Sequence, residues 1–154
     1  MFTTGAQRAL HSHVQTMPDG RRVTIRRAVP SDAPRLLSLS GSRIDRLTLP
    51  ATAPGRQAAL VASDDHGDVV GQSGFHGGSD DSAELVLEVA DGWHQAGLGR
   101  LLADQLSRAA LDCGVRRLTA DVRDPALVAD LRATGHSLHV RPRRGSVTVD
   151  LELR

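Results

Sequence analysis

The chain has no lysine, no asparagine and no tyrosine, and a single cysteine. One thiol, Cys113, cannot close an internal disulfide, which fits a reducing compartment and leads us to expect a cytoplasmic protein. No apolar stretch approaches the roughly 18 residues that a membrane-crossing helix requires. The opening segment "MFTTGAQRALHSHVQTMPDG" lacks the continuous apolar core of a secretory signal. Aromatic residues make up only 2% of the 154 residues and the formal net charge is +1, so neither base stacking nor counterion release favours a nucleic-acid partner. Because every cation of the side chains is arginine, in a chain with only two isoleucines, the bias resembles G/C-rich coding. Arginine here can therefore mean only positive charge rather than bidentate recognition of an anion. His11 and His13 stand without further ligands nearby in sequence, and no metal site is expected.

What is present suits one domain with one core. Residues 1–18 are polar and unpatterned, an arm or a crossing strand, and residues 19–154 form the domain. "RRVTIRRAVP" sets Val23 and Ile25 opposite Thr24 and Arg26, a strand ended by Pro30. Ser31 would cap a short helix through Leu36, Leu37 and Leu39, and Ile44, Leu47 and Leu49 hint at another. "QAALVAS", "VVGQSGFHGG" and "AELVLEVA", joined by the turns "DDHGD" and "SDD", read as an antiparallel meander. A helix follows over Gly97–Cys113, with Leu98, Leu101, Leu102, Leu106 and Ala109 on its apolar side and Gly114 as its left-handed end. "VRRLTADV" is a strand. "DPALVADLRATG" is a helix with Pro125 in its first turn and Gly135 beyond its end, and "HSLHVRP" with "GSVTVDLEL" closes a hairpin. The order β-α-(α)-β-β-β-α-β-α-β-β is α/β, a single domain with a mixed, mostly antiparallel central sheet flanked by helices.

Gly97 and Gly99 sit where that central helix begins, although glycine costs about 1 kcal/mol against alanine inside a helix. A helix start offers unpaired N–H groups and partial positive charge, a socket for a phosphate if the backbone can be approached closely. The competing reading is close packing of the helix on a strand. The third position of a dinucleotide-binding glycine turn is Leu102 here, and a phosphate-binding loop of the Gly-Lys-Ser/Thr kind needs a lysine, so both fail.

The stretch "AELVLEVADGWHQAGLGRLL" resembles the GNAT family of acyl-CoA-dependent N-acetyltransferases, whose loop reads Gln/Arg-x-x-Gly-x-Gly/Ala, with His94 at the first position. "DPALVADLRATGH" is similar to the family's later helix, with Asp124 and His136 as departures. "DGRRVTIRRAVPSDAPRLL" resembles the start of GNAT domains in bacterial protein acetyltransferases. The resemblance implies a GNAT-like domain over residues 19–154, using acetyl-CoA to acetylate a primary amine, a protein lysine or a small molecule. It implies that backbone N–H groups of Gln95, Ala96, Gly97, Leu98, Gly99 and Arg100 cradle the pyrophosphate. The pantetheine arm would bond to the strand at Leu87 and Val89, and the N–H of Val89 or a neighbour would polarise the thioester carbonyl.

Alternation puts Glu84, Val86 and Glu88 on one face of that strand and Leu85, Leu87 and Val89 on the other. Glu84 matches the glutamate that serves as base in protein-acetylating members; its plainer reading is a solvated residue paired with an arginine. Glu88, nearer the thioester, would orient substrate. Many members use a tyrosine as leaving-group acid four residues before the later helix's closing glycine, and that position is Leu131. A non-catalytic acyl-CoA-binding sensor or scaffold is therefore the alternative. Trp93 should pack the loop on the core, His94 is an exposed loop residue or a phosphate neighbour, and Cys113 reads as inert. Arg141–Arg144 in the last hairpin read as a solvated turn or a contact for an acidic group. The resemblance leaves a homodimer open.

Overall fold

A computed structural model describes residues 12–28, 32, 58–77, 80–90, 92–93, 97–122 and 124–153. The helices expected between residues 31 and 56 fall outside this set, apart from Asp32. Among the described residues ten elements follow one another: β1 (His13–Thr16), β2 (Arg22–Arg27), β3 (Ala58–Ser63), β4 (Val69–His76), β5 (Ser82–Val89), α1 (Leu98–Asp112), β6 (Arg117–Val122), α2 (Pro125–Ala133), β7 (Ser137–Arg143) and β8 (Ser146–Glu152). Among the described residues the strands form one eight-stranded sheet in the order β1-β2-β3-β4-β5-β6-β8-β7. Every neighbouring pair is antiparallel except β5 and β6, whose connection runs through α1. The mixed, mostly antiparallel α/β sheet is the one the sequence pattern predicts.

Of the two readings of the N-terminal segment, His13–Thr16 takes the strand: it is an edge strand, pairing His13 with Ile25 and Thr16 with Arg22. Its exposed side chains conceal it from a hydropathy reading, because an edge strand can be held by backbone bonds alone. His13 is a structural contact here, with Nε2 2.9 Å from Gln105 Nε2 on α1.

The core lies between the sheet and its two described helices. Leu98, Leu102, Leu106, Ala109 and Ala110 form the buried stripe of α1, one face repeating every three or four residues. Gly71 of β4 lies beneath that stripe. A Cβ there would sit 2.9 Å from Leu102 Cδ1 and 3.1 Å from Leu98 Cδ2, so the glycine in this strand lets the helix approach the sheet. Helix α2 begins on Asp124, whose Oδ1 accepts from the N–H of Ala126 at 2.9 Å, with Pro125 at the first helical position. Its Leu127 and Leu131 are buried in the same core as α1.

At the other end of the sheet, the guanidinium of Arg26 donates to both oxygens of Asp32, at 2.8 and 2.7 Å. This fork ties β2 to Asp32, whose side chain is only 3% exposed. The hydrogen bonds to Asp32 hold Arg26 above the ordinary arginine range. A raised value means that the arginine's contribution is complete below that range and is lost only as pH rises through it. It is therefore constant at any pH near neutrality. Arg26→Met should remove the two charge-assisted hydrogen bonds that Arg26 gives a buried carboxylate and lower the unfolding free energy by about 3 kcal/mol in urea titration. A loss under about 1 kcal/mol would mean that the pair acts as a surface bridge.

Candidate active site

Strand β5 organises the site. Ala83, Leu85, Leu87 and Val89 are buried, whereas Glu84, Val86 and Glu88 alternate with them on the opposite face, as their spacing predicts. Its antiparallel ladder with β4 runs the whole way from His76–Glu84 to Gly71–Val89. Its parallel ladder with β6 is much shorter. Ser82, Ala83 and Glu84 pair with Arg117, Leu118 and Thr119, and there it ends. Strand β6 meanwhile stays paired with β8 through Val122. The two central strands therefore part company just beyond Glu84.

The backbone polarity along the parted stretch follows from one bond. The N–H of Ala90 donates to the carbonyl of Val70 at 2.8 Å, so residues in phase with Ala90 bond to β4. Antiparallel strands alternate in this respect, which directs the N–H and C=O groups of Leu85, Leu87 and Val89 towards the β6 side. The side chains of Leu87 and Val89 are buried at 8% exposure, so only their backbone faces the gap.

The glycine loop enters from the end of β5. The Arg21 guanidinium stacks over the Trp93 ring, 3.9 Å from its centroid, and donates to the carbonyl of Gly92 at 2.9 Å. Trp93 itself is buried in the main core. The turn between β1 and β2 thus braces the approach to α1. Gly97 caps α1 in the left-handed region, φ 86°, with no side-chain cap, and its neighbour Leu98 is fully buried. Leu98 can therefore offer a ligand only its N–H, while Arg100 is exposed. Gln95, Ala96 and His94 lie outside the described residues.

Gly99 has a reason that the sequence does not display. A Cβ on it would collide with the carboxylate of Asp130 on α2. The close-packing reading therefore applies to Gly99, against the neighbouring helix rather than a strand, while Gly97 is required by its backbone conformation.

Of the two acids, Glu84 is reachable, with its side chain 55% exposed. The arginine partner of its plainer reading does not appear among the described residues. Its neighbour is His76, directly across β4, with Nε2 3.5 Å from Glu84 Oε2. Glu88 stands across from Gln72, whose amide Nε2 is buried without a hydrogen-bond partner. His76 and Gln72 escape a reading of β5 alone; counting back from the "SDD" turn would have found both. Leu131 is fully buried in the core, so nothing acidic or hydroxylic stands where the resemblance puts a tyrosine. Cys113 closes α1 half-buried against the core. Arg141 is bound to Asp150 at 2.8 Å, and Arg143 and Arg144 are exposed.

Residues 32–131 match the Acetyltransferase (GNAT) family. The chain belongs to this family of acetyltransferases. None of the curated protein sequences matches it. Among solved structures it is similar to the GNAT domain of S. lividans PAT, with a TM-score of 0.69 at 20% identity, covering 92% of this chain and 97% of that one. A cAMP-binding acyltransferase from Mycobacterium smegmatis aligns with a TM-score of 0.70 at 17% identity; 99% of this chain matches only 50% of that protein. The protein yncA of Salmonella typhimurium, solved with its cofactor acetyl-CoA, aligns with a TM-score of 0.65 at 20% identity over 86% of this chain and 93% of that one.

The assignment of Gly99 can be checked directly. Gly99→Ala should destabilise the ligand-free protein by about 1–3 kcal/mol through overpacking. Asp130→Ala in the same molecule should recover most of that loss, since it removes the carboxylate that collides and leaves Asp130 Cβ 3.4 Å away, an ordinary contact. Thermal melts of the two variants at wild-type stability would contradict the contact.

Proposed function

We propose that this protein moves an acetyl group from acetyl-CoA to a primary amine, a protein lysine or a small molecule. The observation that carries this reading is the parting of β5 from β6 beyond Glu84 and Thr119, beside a helix that starts on a left-handed glycine. Acetyl-CoA supplies an activated acyl thioester. The protein supplies an edge for its pantetheine arm: the N–H and C=O groups of Leu87 and Val89 can bond an extended chain as they would an added strand. At the pyrophosphate end, the fit rests on the start of α1. Its first turn, Leu98–Leu101, contains no acid, and Arg100 adds a cation. Gln95, Ala96 and Gly99 complete this loop in our reading.

Transfer requires a neutral amine. Glu84 is on the face opposite α1, at the point where the strands part, and is exposed enough to meet an incoming substrate. Its carboxylate takes, through intervening water, the proton that the amine gives up as nitrogen attacks the carbonyl carbon. The C–N bond forms, the C–S bond breaks, and the thiolate leaves without help from a tyrosine, since thiols are far more acidic than alcohols. Val89 N–H or a neighbour polarises the carbonyl, and Glu88 orients the acceptor. The buried Leu131 favours the second reading, an acyl-CoA-binding sensor or scaffold that binds without turnover.

Two measurements separate these. Acetyl-CoA at a hundred times its dissociation constant should raise stability by about 2.7 kcal/mol, and Gly97→Asp should abolish that shift through charge and bulk. Failure of the wild type to respond removes the acyl-CoA site altogether. Glu84→Gln should then lower kcat by about a hundredfold or more in a free-thiol assay over an amine panel, with acetyl-CoA affinity unchanged. Equal rates would remove Glu84 from the mechanism, and binding without transfer to any amine would establish the sensor.

A further inference from the structure

The carboxylate that faces the gap has a neighbour which the proposed chemistry does not yet use. His76 ends β4 opposite Glu84, and the two side chains share the face of the sheet away from α1. The imidazole is mostly covered, with its side chain 24% exposed, while Glu84 is more than half exposed. His76 Nε2 is buried and makes no hydrogen bond, and Glu84 Oε2 stands 3.5 Å from it. That separation is just longer than a hydrogen bond, and a small turn of the exposed glutamate closes it. Catalytic hydrogen bonds are often long before substrate binds.

Two other polar groups on this row are engaged with each other. Thr119, the residue across β6, donates its hydroxyl to Asp150 Oδ1 at 3.0 Å. Asp150 Oδ2 in turn accepts from Arg141 at 2.8 Å. His139 is paired beyond Asp150 on β7, two strands further from Glu84 than Thr119, so His76 is the imidazole directly beside this carboxylate.

We infer that His76 is the positioning residue of the acetyl-transfer site: its Nε2–H holds Oε2 of Glu84 and turns Oε1 to the incoming amine. This inference rests on the reading of Glu84 as the proton acceptor. An unheld glutamate at the surface samples several rotamers, and a base must stand within hydrogen-bond reach of the proton it takes or of the water that relays it. A neutral imidazole with its hydrogen on Nε2 is donor to the carboxylate and leaves Nδ1 unprotonated. The proton of the amine goes through intervening water to Oε1 and from there to solvent, so His76 carries no net proton through the cycle.

A cycle of variants tests it, with kcat, acceptor KM and acetyl-CoA affinity measured for each. His76→Leu should lower kcat by about tenfold or more, the cost of a misplaced base, with acetyl-CoA affinity unchanged. His76→Gln, which keeps an N–H donor at similar reach, should stay within about threefold of wild type. On the Glu84→Gln background, His76→Leu should cost nothing further. A full loss from His76→Leu on that background, or a His76→Gln as slow as His76→Leu, would overturn the inference while leaving Glu84 as base. A Glu84→Gln at the wild-type rate would instead remove the base, and the positioning role with it. Imidazole nitrogen chemical shifts of the wild-type protein give a reading that needs no variant. Hydrogen on Nε2 supports the inference, and hydrogen on Nδ1 of the neutral ring contradicts it.

Discussion

The short parallel ladder between β5 and β6 is the constraint on which the site depends. Three residue pairs hold the strands together and then the pairing stops, although both strands continue. A sheet interrupted at its centre loses backbone bonds, and such a loss is sustained only if each strand is secured from its other side. Here β5 is paired along its length with β4, and β6 is paired along its length with β8. The break therefore has rigid edges. It presents backbone donors and acceptors at fixed spacing, which an extended ligand can use with little ordering cost.

The surroundings of the break keep those edges in place. Helix α1 lies close against β4 because Gly71 has no side chain, and α2 lies close against α1 because Gly99 has none. The guanidinium of Arg21 clamps Trp93 and Gly92 just before the loop, while the methyl end of Met17 lies beneath Gly97, 3.9 Å from the position its Cβ would take. The β1–β2 hairpin, far from the chemistry in sequence, is thus part of the support for the loop. On the opposite face the fork joins Arg26 of β2 to Asp32.

Much of this was legible in the residues, for local reasons. Strict alternation in "AELVLEVA" separates the acid face of β5 from its core face, and Pro125 and Gly135 bracket α2 by backbone rules that need no tertiary contact. Gly97 was legible as special because glycine is a costly residue for a helix, while its left-handed backbone shows only in the fold. The missed features are nonlocal. Asp130 explains Gly99 from another helix, and no local pattern reports that contact. His76 was readable in principle, since the hairpin around "SDD" sets its partner, but glycines on both sides made the strand look merely weakened. The short polar strand β1 carries no alternation of hydropathy at all.

The central claim is that an extended ligand adds itself to β5 in the gap beyond Glu84, and amide hydrogen exchange measures this directly. Saturating acetyl-CoA should slow exchange at the N–H groups of Leu87 and Val89. It should leave Val86 and Glu88, already bonded to β4, nearly unchanged. Protection confined to the start of α1, with Leu87 and Val89 exchanging as fast as in the free protein, would contradict the account.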